Sequence, residues 1–176
     1  MKPTHRRYGV MLMLFVSVVV TYLDRSNLSI AAPAMRAELS IDTVHMGWIL
    51  SAFGWTYAFC QIPGGWLVDR VAPRFFYPAI LVLWSLATVT MGLVGSVAAL
   101  IAIRLCIGFL EAPSYSINNQ VVTSWFPDRE RAGAGGVEPA CQFVGLAFLT
   151  PVLLILEESH GWRSVVYTTG VGGLAW

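Results

Sequence analysis

Four ionisable residues in apolar surroundings carry whatever chemistry this chain has. Asp24 and Arg25 stand side by side in Tyr22-Leu23-Asp24-Arg25-Ser26-Asn27, inside an apolar run from Tyr8 to Ala32, and Arg104 and Glu111 share a second run further on. A charged side chain at membrane depth costs roughly 2.5 to 3.5 kcal/mol on insertion scales, so such groups are expected to face protein or a water-filled cavity. The competing reading ends the first run near Tyr22 and leaves the charges among lipid headgroups. Leu28-Ser29-Ile30-Ala31-Ala32 resumes the apolar pattern and favours the deeper placement.

An arginine pair suits a carboxylate or a phosphate, because each guanidinium presents a rigid donor fork that matches two oxygens. Counted from the ends of their runs at 1.5 Å per residue, Arg25 and Arg104 sit roughly 10 to 15 Å below one surface, so the two could face one cavity. Arg104, Gly108, Glu111, Tyr115 and Asn118 recur at helical spacing and form one polar stripe, while Leu105, Ile107, Phe109 and Leu110 beside them are apolar. The stripe is expected to face the interior of a bundle. It reads either as part of a proton or substrate path or as a buried ion pair that fixes packing; Arg104 and Glu111 lie two turns apart, so their coupling would run through water or Arg25. Tyr22 shares the face of Arg25, Tyr57 and Gln61 share another, and Gln142 lies further on. Such hydroxyl and amide groups fit a polyhydroxylated ligand or, equally, interhelical hydrogen bonds.

The elements that position these groups are apolar helices. Hydrophobic residues make up 56% of the chain and charged ones only 12%, with mean hydropathy +0.66, against about 25% charged in soluble domains. The expected fold is all-α, a polytopic membrane bundle. Spans are expected at about 8–32, 46–68, 75–93, 97–125, 134–156 and 165–176, the last cut short at Trp176. Between them fall a polar loop with Arg36, Glu38, Asp42 and His45, a charged loop around Asp69, Arg70 and Arg74, a tight turn at Gly92-Leu-Val-Gly-Ser96, and a loop Asp128-Arg129-Glu130-Arg131. The run Ala132-Gly-Ala-Gly-Gly136 is expected to let helix backbones approach closely.

Lys2, Arg6, Arg7, Arg70, Arg74, Arg129 and Arg131 occupy one alternating set of loops, against Arg36 and Arg163 in the other, which puts the N-terminus in the cytoplasm. The basic N-terminus followed by Val10 to Val20 imitates a secretory signal, but the charged patch and the later apolar runs favour an uncleaved first helix. Cys60, Cys106 and Cys141 lie in apolar stretches without metal-ligand spacing and read as packing residues, as do Trp48, Trp84 and Met91, which could also face lipid. The formal net charge of +1 gives no reason to expect nucleic acid. No GxSxG, HExxH or phosphate-loop signature occurs, so enzymatic chemistry and cofactors have no visible apparatus.

After the second run comes Gly65-Trp-Leu-Val-Asp69-Arg70-Val-Ala-Pro-Arg74, which resembles the signature loop of the major facilitator superfamily. Its glycine would permit close helix approach, and its carboxylate would be held by a neighbouring helix end and basic groups. Pro73 and the single Arg74 depart from that pattern. Within the superfamily, Tyr22-Leu-Asp24-Arg25-Ser-Asn27, Pro63-Gly64-Gly65 and Arg104-x-x-x-Gly108-x-x-Glu111-Ala-Pro113 resemble the anion:cation symporter family, carriers of sugar acids such as galactonate and glucarate and of other organic anions.

The resemblance implies the N-terminal half of a twelve-helix transporter that moves a small organic anion together with protons through a lipid bilayer, its C-terminal six-helix half lying outside the chain. It further implies that Arg25 and Arg104 manage anionic charge, that Asp24 and Glu111 are proton-linked acids, and that Tyr22, Tyr57, Gln142 and Asn118 contact substrate. Gly65, Asp69, Arg70 and Arg74 would serve conformational gating. Glu138, beside Pro139, departs from the pattern as either a third titrating group or a boundary residue. Two rival readings stay open: a phosphate or organophosphate exchanger, and a non-transporting membrane scaffold or sensor of the same fold.

Overall fold

The computed structural model describes residues 6–176, apart from the side chain of Glu138. Lys2 and the Glu138 side chain thus lie outside the described residues. The described residues form helices joined by short connections: α1 (Arg6–Leu39), α2 (Thr43–Val68), α3 (Pro73–Met91), α4 (Val97–Glu111), α5 (Ser114–Trp125), α6 (Asp128–His160) and α7 (Trp162–Ala175). Four stretches, α1, α3, α4 with α5, and α6, are long and apolar enough to cross a membrane. Helix α2 has the length, 26 residues, with polar and glycine residues diluting its apolar content.

Several boundaries differ from the sequence reading for physical reasons. Helix α1 runs through Pro33 to Leu39, so Arg36 and Glu38 extend the helix instead of forming a loop; packed neighbours can absorb the hydrogen bond that an internal proline removes. Its far end is tied down by an ion pair between Glu38 and Arg163 and by the Trp162 indole, which donates to Glu38 Oε2 at 2.8 Å. The expected loop at 128–131 is the first turn of α6. Pro127 takes the N-cap position there, and Asp128 and Glu130 complement the helix dipole. Arg131 closes the junction by donating to the carbonyls of Thr123 and Phe126.

The fourth span, 97–125, is one crossing built from two helices. Ala112 and Pro113 interrupt it between α4 and α5, since proline has no N–H for the ladder. Ser114 Oγ donates to the Glu111 carbonyl at 2.6 Å and satisfies one backbone group freed by the break.

The N-terminus of α2 is capped by Asp42, whose carboxylate accepts the His45 backbone N–H at 2.7 Å. That bond, reinforced by the His45 ring, holds the Asp42 carboxyl below its ordinary range. The cap is therefore fully present above the usual carboxylate pKa and is lost as pH falls through the lowered value.

Helix α4 is the pivot between α2 and α3, while α7 lies between α3 and α1, and α6 packs along α1. Glycines let backbones meet at two of these seams. A Cβ on Gly108 would lie 2.6 Å from the Phe53 carbonyl oxygen, joining α4 to α2, and one on Gly170 would lie 2.7 Å from Val89 and 3.1 Å from the Ser85 carbonyl, joining α7 to α3. In the run at 132–136 the glycines do no such work, Gly133, Gly135 and Gly136 having nothing within 4 Å of an added Cβ, and it is Ala134 that is buried against Val122 and Phe126.

The core is layered along the bundle. Leu28, Met35, Ile49, Met91, Leu100, Trp162 and Val166 fill one end, and Val68, Ile80, Leu81, Trp84, Ile107 and Ile117 fill the middle of the α2–α3–α4 side. Trp84 and Met91 are fully buried packing residues, whereas Trp48 is exposed.

Candidate functional site

Neighbours in sequence on a helix point about 100° apart, and Asp24 and Arg25 use that divergence to join two different environments. Arg25 turns toward α2 and α4. Its Nε donates to Glu111 Oε2 at 2.9 Å, and its guanidinium lies 4.4 Å from the ring centre of Tyr57, 5.0 Å from Tyr22 and 5.4 Å from Phe53. Glu111 is wholly buried, while the Arg25 side chain keeps 22% of its surface. A buried carboxylate of this kind needs a cation, and the aromatic rings supply further cation–π attraction.

The exposed part of Arg25 looks into a cavity that Tyr22, Tyr57, Ser114, Tyr115 and Asn118 also line. Its volume, about 20 Å³, admits a water but not a sugar-sized molecule. Tyr115 is half exposed beside it, so the polar stripe expected on the fourth span continues past the Pro113 break onto an open face.

Arg104 departs from the expectation of two arginines in one cavity. It is buried, its guanidinium lies 4.9 Å from the ring centre of Phe53, and it does not line the cavity. Its Nε is buried without a hydrogen-bond partner. Glu111 pairs with Arg25 across the helix interface instead of with Arg104, as their two-turn separation requires.

Asp24 turns toward α3 and α7. It is buried and its Oδ2 accepts the Trp84 indole N–H at 3.1 Å. One turn on, Asn27 donates to Thr169 Oγ1 at 2.7 Å. Thr169 also lies within hydrogen-bonding reach of the Asp24 carboxylate, while Asn27 Oδ1 and, on α3, Ser85 Oγ and Thr88 Oγ1 are buried without partners. The sequence reading took Trp84 only as a packing or lipid-facing group and assigned nothing to Thr169. An indole inside an apolar helix gives no periodic signal that separates packing from donation.

Gln142 is half-buried on α6 and outside the cavity that Arg25 lines. Around the charged loop, close helix approach belongs to Gly64 and not Gly65: a Cβ on Gly64 would lie 3.1 Å from Pro113 Cγ, whereas one on Gly65 meets only Ser116 Oγ at an ordinary 3.5 Å. Asp69 is the C-cap residue of α2, and its backbone N–H bonds back to Gly65. Arg70 stacks 3.4 Å from the Trp66 ring centre and Arg74 lies 4.6 Å from that of Phe75.

A bundle of long apolar helices with paired charges in its interior defines a multi-pass membrane protein. The Major Facilitator Superfamily model matches residues 14–176, and the chain belongs to that superfamily. It is 45% identical over 99% of its length to a D-galactonate transporter of Escherichia coli O6:H1, covering 41% of that protein. It is 39% identical to a probable galactarate/D-glucarate transporter of Escherichia coli K12, over 98% of this chain and 40% of that one. A probable sulfoacetate transporter of Cupriavidus necator is 34% identical over 99% of this chain and 40% of its own. The chain thus spans about two fifths of the length of these relatives. Among solved structures, an inward-facing, unoccupied bacterial homolog of the human lysosomal transporter Spinster shares the fold, with TM-score 0.82 and 24% identity over 98% of this chain and 42% of that one.

Proposed function

We propose that this chain forms the N-terminal six-helix half of a proton-coupled symporter for a small organic anion, a sugar acid of the galactonate, glucarate or hexuronate type, in the cytoplasmic membrane. One observation carries the reading: Arg25, walled by Tyr22, Phe53 and Tyr57, is held by the wholly buried Glu111 while its open edge meets a cavity lined by hydroxyl and amide groups. With Glu111 ionised, the guanidinium is neutralised and attracts an anion weakly. A proton on Glu111 removes that competitor, and Arg25 is then free to grip a carboxylate through its planar fork. Proton and anion then travel together.

The names of the relatives support the substrate class, and the sulfoacetate transporter among them fits a site that reads anionic charge first. Tyr57, Tyr115 and Asn118 would read the hydroxyls. Because halves of this kind pack around a midplane site, a second six-helix half would close the cavity on the open side of Tyr115. The distribution of Lys and Arg puts the N-terminus and the Asp69 to Arg74 loop in the cytoplasm, where Gly65, Asp69, Arg70 and Arg74 would gate the conformational exchange.

The test is calorimetric binding of D-galactonate, D-glucarate and a hexuronate, set against inorganic phosphate, followed by uptake into proteoliposomes by the complete transporter with and without an inward proton gradient. Sugar acids are expected to bind and to accumulate only with the gradient. Preference for phosphate would turn the reading into an exchanger. Absence of any anion binding would leave a scaffold.

A further inference from the structure

On the side of α4 opposite Glu111 runs a second, larger cavity that the symport reading leaves unused. It is a groove of about 390 Å³ between α2, α3 and α4, with Phe109 and Pro113 along its floor and Cys60, Leu67, Phe76 and Leu83 on its walls. Its surface is almost entirely apolar. At its floor α2 and the Pro113 break are in close contact, a Cβ on Gly64 meeting Pro113 Cγ at 3.1 Å, and the groove widens from there between the side chains of Phe76, Leu83 and Phe109. Phe109 and Leu83 are more than half exposed, so the groove opens outward from the bundle.

One end of the groove is polar and positively charged. Trp66 lines the groove and is covered by the Arg70 guanidinium at 3.4 Å from its ring centre. Arg74 lies over Phe75, next to the groove-lining Phe76, and Asp69 precedes Arg70 in the same connection. These three residues carry a formal charge of +1 at the mouth of an apolar trough. An indole under a guanidinium at the end of a membrane helix is an interfacial arrangement, with the ring at headgroup depth and the charge above it.

We infer that this groove is a binding site for an anionic phospholipid, one acyl chain lying along Phe109 and Leu83 and the headgroup phosphate held by Arg70 and Arg74. A free phosphate would meet the two arginines but gain nothing from the trough, and a zwitterionic lipid would fill the trough but bring its own cation to the mouth. Only a lipid with net negative charge uses both halves of the site.

Cys60 makes the groove measurable. With Cys106 and Cys141 replaced by Ala, the rate of Cys60 modification by a membrane-soluble maleimide would be followed in nanodiscs of phosphatidylcholine with and without phosphatidylglycerol. Phosphatidylglycerol is expected to slow labelling several-fold, glycerol 3-phosphate added from water is expected to leave the rate unchanged, and the double change Arg70→Gln, Arg74→Gln is expected to erase the lipid difference. Native mass spectrometry of the unaltered protein provides a second measure, with phosphatidylglycerol retained on the protein under conditions that strip phosphatidylcholine. Equal labelling rates in the two lipids, or equal retention of both, would overturn the assignment. Protection by glycerol 3-phosphate alone would overturn it too, showing a headgroup site without a chain.

Discussion

The two faces of α1 that begin at Asp24 and Arg25 solve the problem of a buried charge in opposite ways. On the Arg25 face the charge is met by an opposite charge and by three aromatic rings, and part of the guanidinium stays open to a cavity. On the Asp24 face the carboxylate is met by a neutral indole N–H, amid hydroxyls and an amide from three helices, with almost no exposure. The first arrangement can exchange one partner for another; the second can lose its partner only by opening the α1–α3–α7 seam. On the symport reading proposed above, the first is the group that binds and the second the group that braces.

The largest expected effect tests the Arg25 face. Glu111→Gln keeps the shape but removes the charge that competes for Arg25, so anion binding should persist while accumulation driven by a pH gradient is abolished. Proteoliposome uptake with the complete transporter checks this. Gradient-driven accumulation equal to the parent's would shift the coupling role to Asp24 and blur the two faces.

Next in size, Arg25→Lys retains charge and loses the planar fork. Affinity for a sugar acid should fall by about 1.5 to 3 kcal/mol, the worth of one hydrogen bond to a charged group. Titration calorimetry reads it directly. An unchanged affinity would mean that the open edge of Arg25 does not meet the carboxylate.

Trp84→Phe probes the other face. It leaves Asp24 Oδ2 buried without its donor, at a cost of about 1 to 3 kcal/mol. The loss should appear as a lower melting temperature in detergent, with anion affinity unaltered. A fall in affinity without a fall in stability would show that the Asp24 face also touches the ligand.

The smallest effect is a control on packing. Gly133→Ala, on a helix surface with nothing within 4 Å, should stabilise by roughly 0.5 to 1 kcal/mol through helix propensity alone. A thermal melt that moves downward instead would mean that some neighbour closes on α6 at that point.

Much of this arrangement was legible in the chain itself. The cost of charge in apolar sequence singled out Asp24, Arg25, Arg104 and Glu111, and helical spacing put Arg104, Glu111 and Asn118 on one inward face. What escaped depends on distances between helices. Spacing along one helix cannot say that Glu111 meets Arg25 and not Arg104, nor that Arg104 is withdrawn from the cavity. The indole of Trp84 and the hydroxyl of Thr169 became visible only when α3 and α7 closed on α1. The glycines show the same limit: a cluster at 132–136 looked made for close packing, yet the contacts fall at the scattered Gly64, Gly108 and Gly170, because the facing helix decides which glycine is needed.

The interruption at Ala112 and Pro113 has a mechanical consequence. Above it, α4 is locked to α2 through Gly108; below it, α5 carries Asn118 and Tyr115 along the cavity wall. The fourth span is therefore two segments with an interruption between them; Glu111 is the last residue of the first, and Ile117 anchors the second in the α2–α3–α4 core. On the symport reading, substitutions at Tyr115 and Asn118 would reshape the cavity wall while leaving the Arg25–Glu111 contact where it stands, so that selectivity and charge recognition could be altered one without the other.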